Sequence, residues 1–95
     1  MADAMTEREL RLAIVTAASY NDWLWSYNPD SRRVQGDPGL PDLILARGGV
    51  TLAIELKTNA GRFRDGQRRW AEAMGADLYA AVRADDLDRI LRRLR

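Results

Sequence analysis

The chain has 95 residues, which fits one domain at roughly 100–200 residues each, so residues 1–95 are read as a single unit. It is 46% hydrophobic and 31% charged with a net charge of +1, a globular rather than a disordered composition. The lack of Cys and His excludes disulfide scaffolds, zinc sites built on thiolate or imidazole, and Ser-His-Asp catalysis. No apolar run reaches the roughly 18 residues of a membrane span, and the acidic start shows no basic-then-apolar leader, so the chain is expected in the cytoplasm.

Thr6-Glu-Arg-Glu9 has the form of a capping box, and Leu10, Ala13, Ile14 and Ala17 follow at helical spacing. The first helix is expected to end near Ala18–Tyr20, where Asn21-Asp22 signals a turn. Trp23–Tyr27 reads as a short strand, and Asn28–Leu40, with Pro29, Gly36, Pro38 and Gly39, as a loop. Asp42–Ala46 and Val50–Lys57 read as two strands of a sheet covered on its faces, joined through Gly48-Gly49, which suits a turn needing positive φ. Thr58–Arg64 is a loop. Asp65 is positioned to cap a helix that runs to Met74 and stops at Gly75. Asp77–Val82 reads as a fourth strand, and Asp85–Leu94 as a last helix with Leu87, Ile90, Leu91 and Leu94 on one side. The order is α-β-β-β-α-β-α, an α/β chain.

The charge is uneven. Residues 1–30 carry two Arg against five acids, residues 31–64 six bases against three acids, and residues 65–95 seven bases against six acids. A basic middle on a near-neutral chain hints at a phosphate-bearing partner, although a solvated surface accounts for the charge as well. Fourteen of the fifteen bases are Arg. The lone Lys57 follows Glu55 by two residues, and Arg does not replace Lys where a compact or tunable amine is needed.

A two-residue turn at 48 and 49 pairs 47 with 50 and, counting outward, Asp42 with Glu55. Directly opposed Cβ atoms lie about 4.5–5.5 Å apart, and alternation along a strand sets Glu55 and Lys57 on one face. Opposed carboxylates repel, so one takes a proton or a cation comes between them. Lys57 neutralising part of the charge is one reading, although an exposed ion pair contributes only about 0–1 kcal/mol. A hard divalent cation is the other. Mg²⁺ takes one or two carboxylates plus waters and phosphate oxygens, and it activates water for attack on phosphorus. Lys57 would then orient the water or stabilise the developing charge.

Gly39-Leu-Pro41-Asp42 followed by Glu55-Leu-Lys57 resembles the PD-(D/E)XK nuclease motif. The chain as a whole resembles a stand-alone VRR-NUC domain of phage or bacterial type. The likeness runs through Thr6-Glu7, Asp30-Ser31-Arg32-Arg33, Gly39–Leu43, Ile54–Thr58, Gly61-Arg62, Gln67 with Trp70, and Asp86-Leu-Asp88. It implies a restriction-endonuclease-like α-β-β-β-α-β core with a C-terminal helix and a mixed sheet. It also implies metal-dependent hydrolysis of DNA phosphodiester bonds, with Mg²⁺ as the ion and Mn²⁺ as a substitute. Asp42 and Glu55 would be carboxylate ligands, the Leu56 carbonyl a backbone ligand, and Lys57 the assisting amine. Glu7 matches the helix-borne glutamate of such domains. It lies on the 7, 10, 14, 17 stripe, whereas Glu9 is occupied by the capping box; interaction with the helix dipole is its other reading. Gln67 matches the family glutamine and would hydrogen-bond to Lys57 or the attacking water. Two segments depart from the family pattern: Tyr27-Asn28-Pro29 stands where a His is frequent, and Ala81-Val82-Arg83-Ala84 where a Trp-Arg-Pro-like run is frequent.

Ser31, Arg32, Arg33, Arg62 and Arg64 lie in loops flanking this motif and Arg68 opens the second helix; all are expected to grip DNA phosphates, which gives affinity without sequence information. Arg92, Arg93 and Arg95 read as compensation of a helix C-terminus, and Trp23, Trp25 and Trp70 as core or interface. The resemblance also implies a substrate and a working form: small stand-alone members of that family are associated with resolving four-way (Holliday) junctions as homodimers, and two symmetric cuts need two copies of a one-site domain. Cleavage of flaps or nicked duplex, and DNA binding without cleavage, are the alternatives.

Overall fold

The computed structural model describes residues 5–29, 35–56 and 63–95. The elements are α1 (Glu7–Tyr20), β1 (Leu24–Tyr27), β2 (Leu43–Arg47), β3 (Val50–Glu55), α2 (Asp65–Met74), β4 (Asp77–Ala80) and α3 (Ala84–Arg93). Their order is the one expected. The strands form a mixed sheet ordered β1-β2-β3-β4, with β1–β2 and β2–β3 antiparallel and β3–β4 parallel. The antiparallel steps follow chain order, and α2 makes the crossover that a parallel step requires. Among the described residues no helix is long and apolar enough to cross a membrane.

The capping box at α1 is formed: Thr6 N–H donates to Glu9 Oε1 (2.9 Å) and Glu9 N–H to Thr6 Oγ1 (3.1 Å). The hairpin turn has Gly48 at φ 56° and Gly49 at φ 80°. Positive φ at both central positions matches the twist of the flanking strands, so the turn fixes the register of β2 on β3 at Arg47↔Val50 through Leu43↔Ile54.

That register sorts the side chains onto two faces. Leu43 and Leu45 of β2 and Leu52 and Ile54 of β3 form a core with Leu10, Ile14 and Ala18 of α1 and Ile90 and Leu94 beside them from the C-terminal helix region. Helices α1 and α3 therefore cover one face. Ala71 and Gln67 of α2 are buried outside that cluster, on the side of Ala53 and Glu55. The covering of the sheet is incomplete at β1: Leu24 is 76% exposed, and Trp25 and Ser26 are exposed too. An edge strand has one pairing partner, and β4, the strand that α2 packs against, is at the opposite edge of the sheet.

Several boundaries shift for identifiable reasons. Trp23 precedes β1 and is buried, with its indole N–H donating to the Leu94 carbonyl at 2.9 Å. Asp65 is the first residue of α2 rather than its cap. Arg64 holds the cap position, where its N–H donates to Gln67 Oε1 at 2.8 Å. Strand β3 ends at Glu55 and β4 at Ala80, although Ala81 N–H still donates to the Glu55 carbonyl at 2.9 Å. Helix α3 starts one residue early, because Asp86 Oδ2 accepts from both Val82 and Arg83 N–H groups at 3.1 Å.

Candidate functional site: a buried carboxylate pair

The hairpin register extended by one step pairs Asp42 with Glu55, and the side chains confirm the juxtaposition. Asp42 Oδ2 accepts from the Leu56 N–H at 3.0 Å, and Glu55 Oε1 accepts from the Asp42 N–H at 3.4 Å. Each carboxylate thus leans on the backbone of the opposite strand. Both are buried, at 7% and 6% exposure. Buried carboxylates are uncommon unless paired or bonded. Here two of them lie together at the end of an apolar hairpin, and Leu56, the residue after Glu55, is itself buried.

The approach to Asp42 is fixed by a contact between two glycines. A Cβ on Gly39 would stand 2.5 Å from the Gly66 carbonyl carbon, and one on Gly66 would stand 2.8 Å from the Pro38 carbonyl oxygen. Gly39 also has φ 99°, which side chains rarely adopt. The loop that enters β2 therefore rests backbone to backbone on the first turn of α2. That turn carries Gln67, which is 6% exposed. Its Oε1 is engaged by the Arg64 N–H, so the group it offers to other partners is the amide NH₂.

The remaining expected residues fall as follows. Glu7 is half-buried at the first residue of α1, the helix that covers the Leu43–Ile54 face. Among the described residues no three His, Cys, Asp or Glu side chains form a group that could hold a metal, so Glu7 is not gathered with Asp42 and Glu55 into such a group. Arg64 and Arg68 are exposed around the start of α2. Lys57, Ser31, Arg32, Arg33 and Arg62 lie outside the described residues. Of the tryptophans, Trp23 is core. Trp25 is exposed, with its indole N–H donating to Ser19 Oγ at 3.1 Å. Trp70 is half-buried on α2, with its N–H donating to the Asp37 carbonyl at 3.3 Å.

Three features were not anticipated from the residues. Gly66 is the partner that gives Gly39 its role. Arg47 donates to the carbonyls of Asn21 (2.9 Å), Leu94 (3.3 Å) and Arg95 (3.0 Å) and stacks on Trp23 at 4.4 Å, clamping the ends of α1 and α3. Asn28 continues β1 by one pairing step, its N–H donating to the Asp42 carbonyl at 2.7 Å. The turn signal at Asn28-Pro29 conceals that step.

The donor set at the pair, two carboxylates, suits a hard divalent cation rather than a soft metal. Comparison with protein-family models, with curated proteins and with solved structures finds no match to this chain. The class is accordingly defined by geometry: the described residues form an α/β domain with a four-stranded mixed sheet, three helices and a buried carboxylate pair where two adjacent central strands begin and end.

Proposed function

We propose that the protein is a metal-dependent endonuclease that hydrolyses phosphodiester bonds in branched DNA, with a four-way junction as its substrate and a homodimer as its working form. The observation that carries this reading is the Asp42–Glu55 pair, two buried carboxylates locked face to face by each other's strands. Like charges in that position are best reconciled by a divalent cation. A bound Mg²⁺ or Mn²⁺ would lower the pKa of an attacking water and offset charge developing on the phosphate.

The chain's own residues do the rest. Asp42 and Glu55, with the Leu56 carbonyl, supply the hard oxygen ligands. Lys57, two residues beyond Glu55, supplies an amine to orient water or balance the pentavalent charge. Gln67 offers its amide NH₂ from the start of α2. Arg64 and Arg68, exposed beside that turn, and Ser31, Arg32, Arg33 and Arg62 by sequence position, supply phosphate contacts that depend on salt and not on base identity. Paired cuts across a junction require two copies of a domain with one carboxylate pair.

The test is cleavage of labelled four-way junction, flap, nicked and plain duplex DNA with Mg²⁺, with Mn²⁺ and with chelator. Symmetric, metal-dependent junction cuts are expected. Preferential flap or nick cutting replaces the junction assignment, and salt-sensitive binding without any cut removes the enzymatic one.

A further inference from the structure

We infer that Asn28 is a substrate-binding residue of this site, its side-chain amide donating to a non-bridging oxygen of the phosphodiester held over Asp42 and Glu55; the inference rests on the nuclease reading. The register carries the argument first. β1 pairs with β2 from Leu24↔Ala46 to Tyr27↔Leu43. The Asn28 N–H bond to the Asp42 carbonyl continues it by one residue. Across the next step Asp42 faces Glu55. Asn28, Asp42 and Glu55 therefore form one row over three adjacent strands, and directly paired residues project from the same face of a sheet.

The second observation is independent of register. Asn28 Nδ2 is buried and has no hydrogen-bond partner among the described residues. Buried polar groups are almost always paired, so an orphan at a carboxylate pair calls for a ligand. The missing partner is an acceptor, because the orphan is a donor. Asp42 and Glu55 accept backbone N–H groups, from Leu56 and from Asp42, and neither accepts the Asn28 amide. An amide also grips an anion without adding a charge that would compete with a cation for the two acids. A phosphodiester supplies the acceptor: it has two equivalent non-bridging oxygens, so one can face the cation while the other takes the amide.

The experiment compares wild type, Asn28→Ala and the isosteric Asn28→Asp on a junction whose scissile phosphate carries sulfur at either non-bridging position. Circular dichroism checks folding. Wild type should cut the oxygen substrate with Mg²⁺ and be slowed by sulfur at the Asn28-facing position. Asn28→Ala should cut the oxygen substrate about ten- to hundredfold more slowly, the range of a hydrogen bond to a charged group. It should also lose its discrimination at that sulfur position. Asn28→Asp, which removes the donors and adds negative charge, should be slower still and should bind the junction more weakly in chelator, where nothing is cut. Wild-type rates in Asn28→Asp, or an unchanged sulfur effect in a folded Asn28→Ala, overturn the Asn28 assignment while leaving the nuclease standing. A wild type that cuts no DNA with either metal overturns both.

Discussion

At the scale of single residues, the pair Asp42–Glu55 is held by two backbone N–H donors, and this separates its chemistry from its structural cost. Asp42→Asn keeps an acceptor for the Leu56 N–H but removes one of the two carboxylates. It is expected to leave the fold intact and lower cleavage at least about a thousandfold, the scale of losing a main electrostatic group. Asp42→Ala removes the acceptor as well and strands the Leu56 N–H, so a loss of about 1–3 kcal/mol of stability should accompany the loss of cleavage. Urea unfolding beside a junction assay distinguishes the two. Glu9 gives a pH prediction. Its carboxyl lies below the ordinary range, first because it accepts the Thr6 N–H and second because of the Thr6 hydroxyl. A lowered folded pKa means the capping contribution is present above the unfolded carboxyl value and fades as pH falls through the folded one. Glu9→Gln should therefore flatten the acid side of the stability profile below about pH 5. No change in that slope would contradict the assignment.

At the scale of elements, local chemistry was legible and distant contact was not. Gly48-Gly49 dictates a positive-φ turn, the turn dictates register, and register brings Asp42 opposite Glu55. Each step depends on residues a few positions apart. Thr6 and Glu9, and Gly75 at φ 66°, likewise act within one turn of their helices. The Gly39–Gly66 contact joins residues far apart in sequence, and nothing in either segment announces it. The same is true of Arg47, which reads as a solvated turn residue until the ends of α1 and α3 meet beside it. Both are open to test. Gly66→Ala forces its Cβ toward the Pro38 carbonyl. It is expected to cost about 1–3 kcal/mol by overpacking and to displace Gln67 with the first turn of α2. Arg47→Ala leaves the last carbonyls of two helices without their shared donor. A comparable loss of roughly 1–3 kcal/mol in thermal or denaturant unfolding is expected, only partly recovered by Arg47→Lys, which lacks the planar fork.

At the scale of the whole molecule, the two faces of the sheet divide the labour. α1 and α3 close the core on one side, while Glu55 and α2 occupy the other. The Gly39–Gly66 contact brings the first turn of α2 against the loop that leads into Asp42. The exposed β1 edge, with Leu24 and Trp25 outward, is the opposite edge of the sheet from β4. Two symmetric cuts would require two such molecules, so sedimentation at micromolar concentration should give twice the 10.7 kDa of the chain, at least when junction is bound. A 1:1 complex that still makes paired cuts would contradict the dimer.

Whether Asp42 and Glu55 share a divalent cation is tested by anomalous diffraction from crystals soaked in Mn²⁺. One strong peak is predicted between the two carboxylates in wild type and none in Asp42→Asn. Carboxylates turned apart with no density between them, in crystals that take up Mn²⁺ elsewhere, would contradict the account.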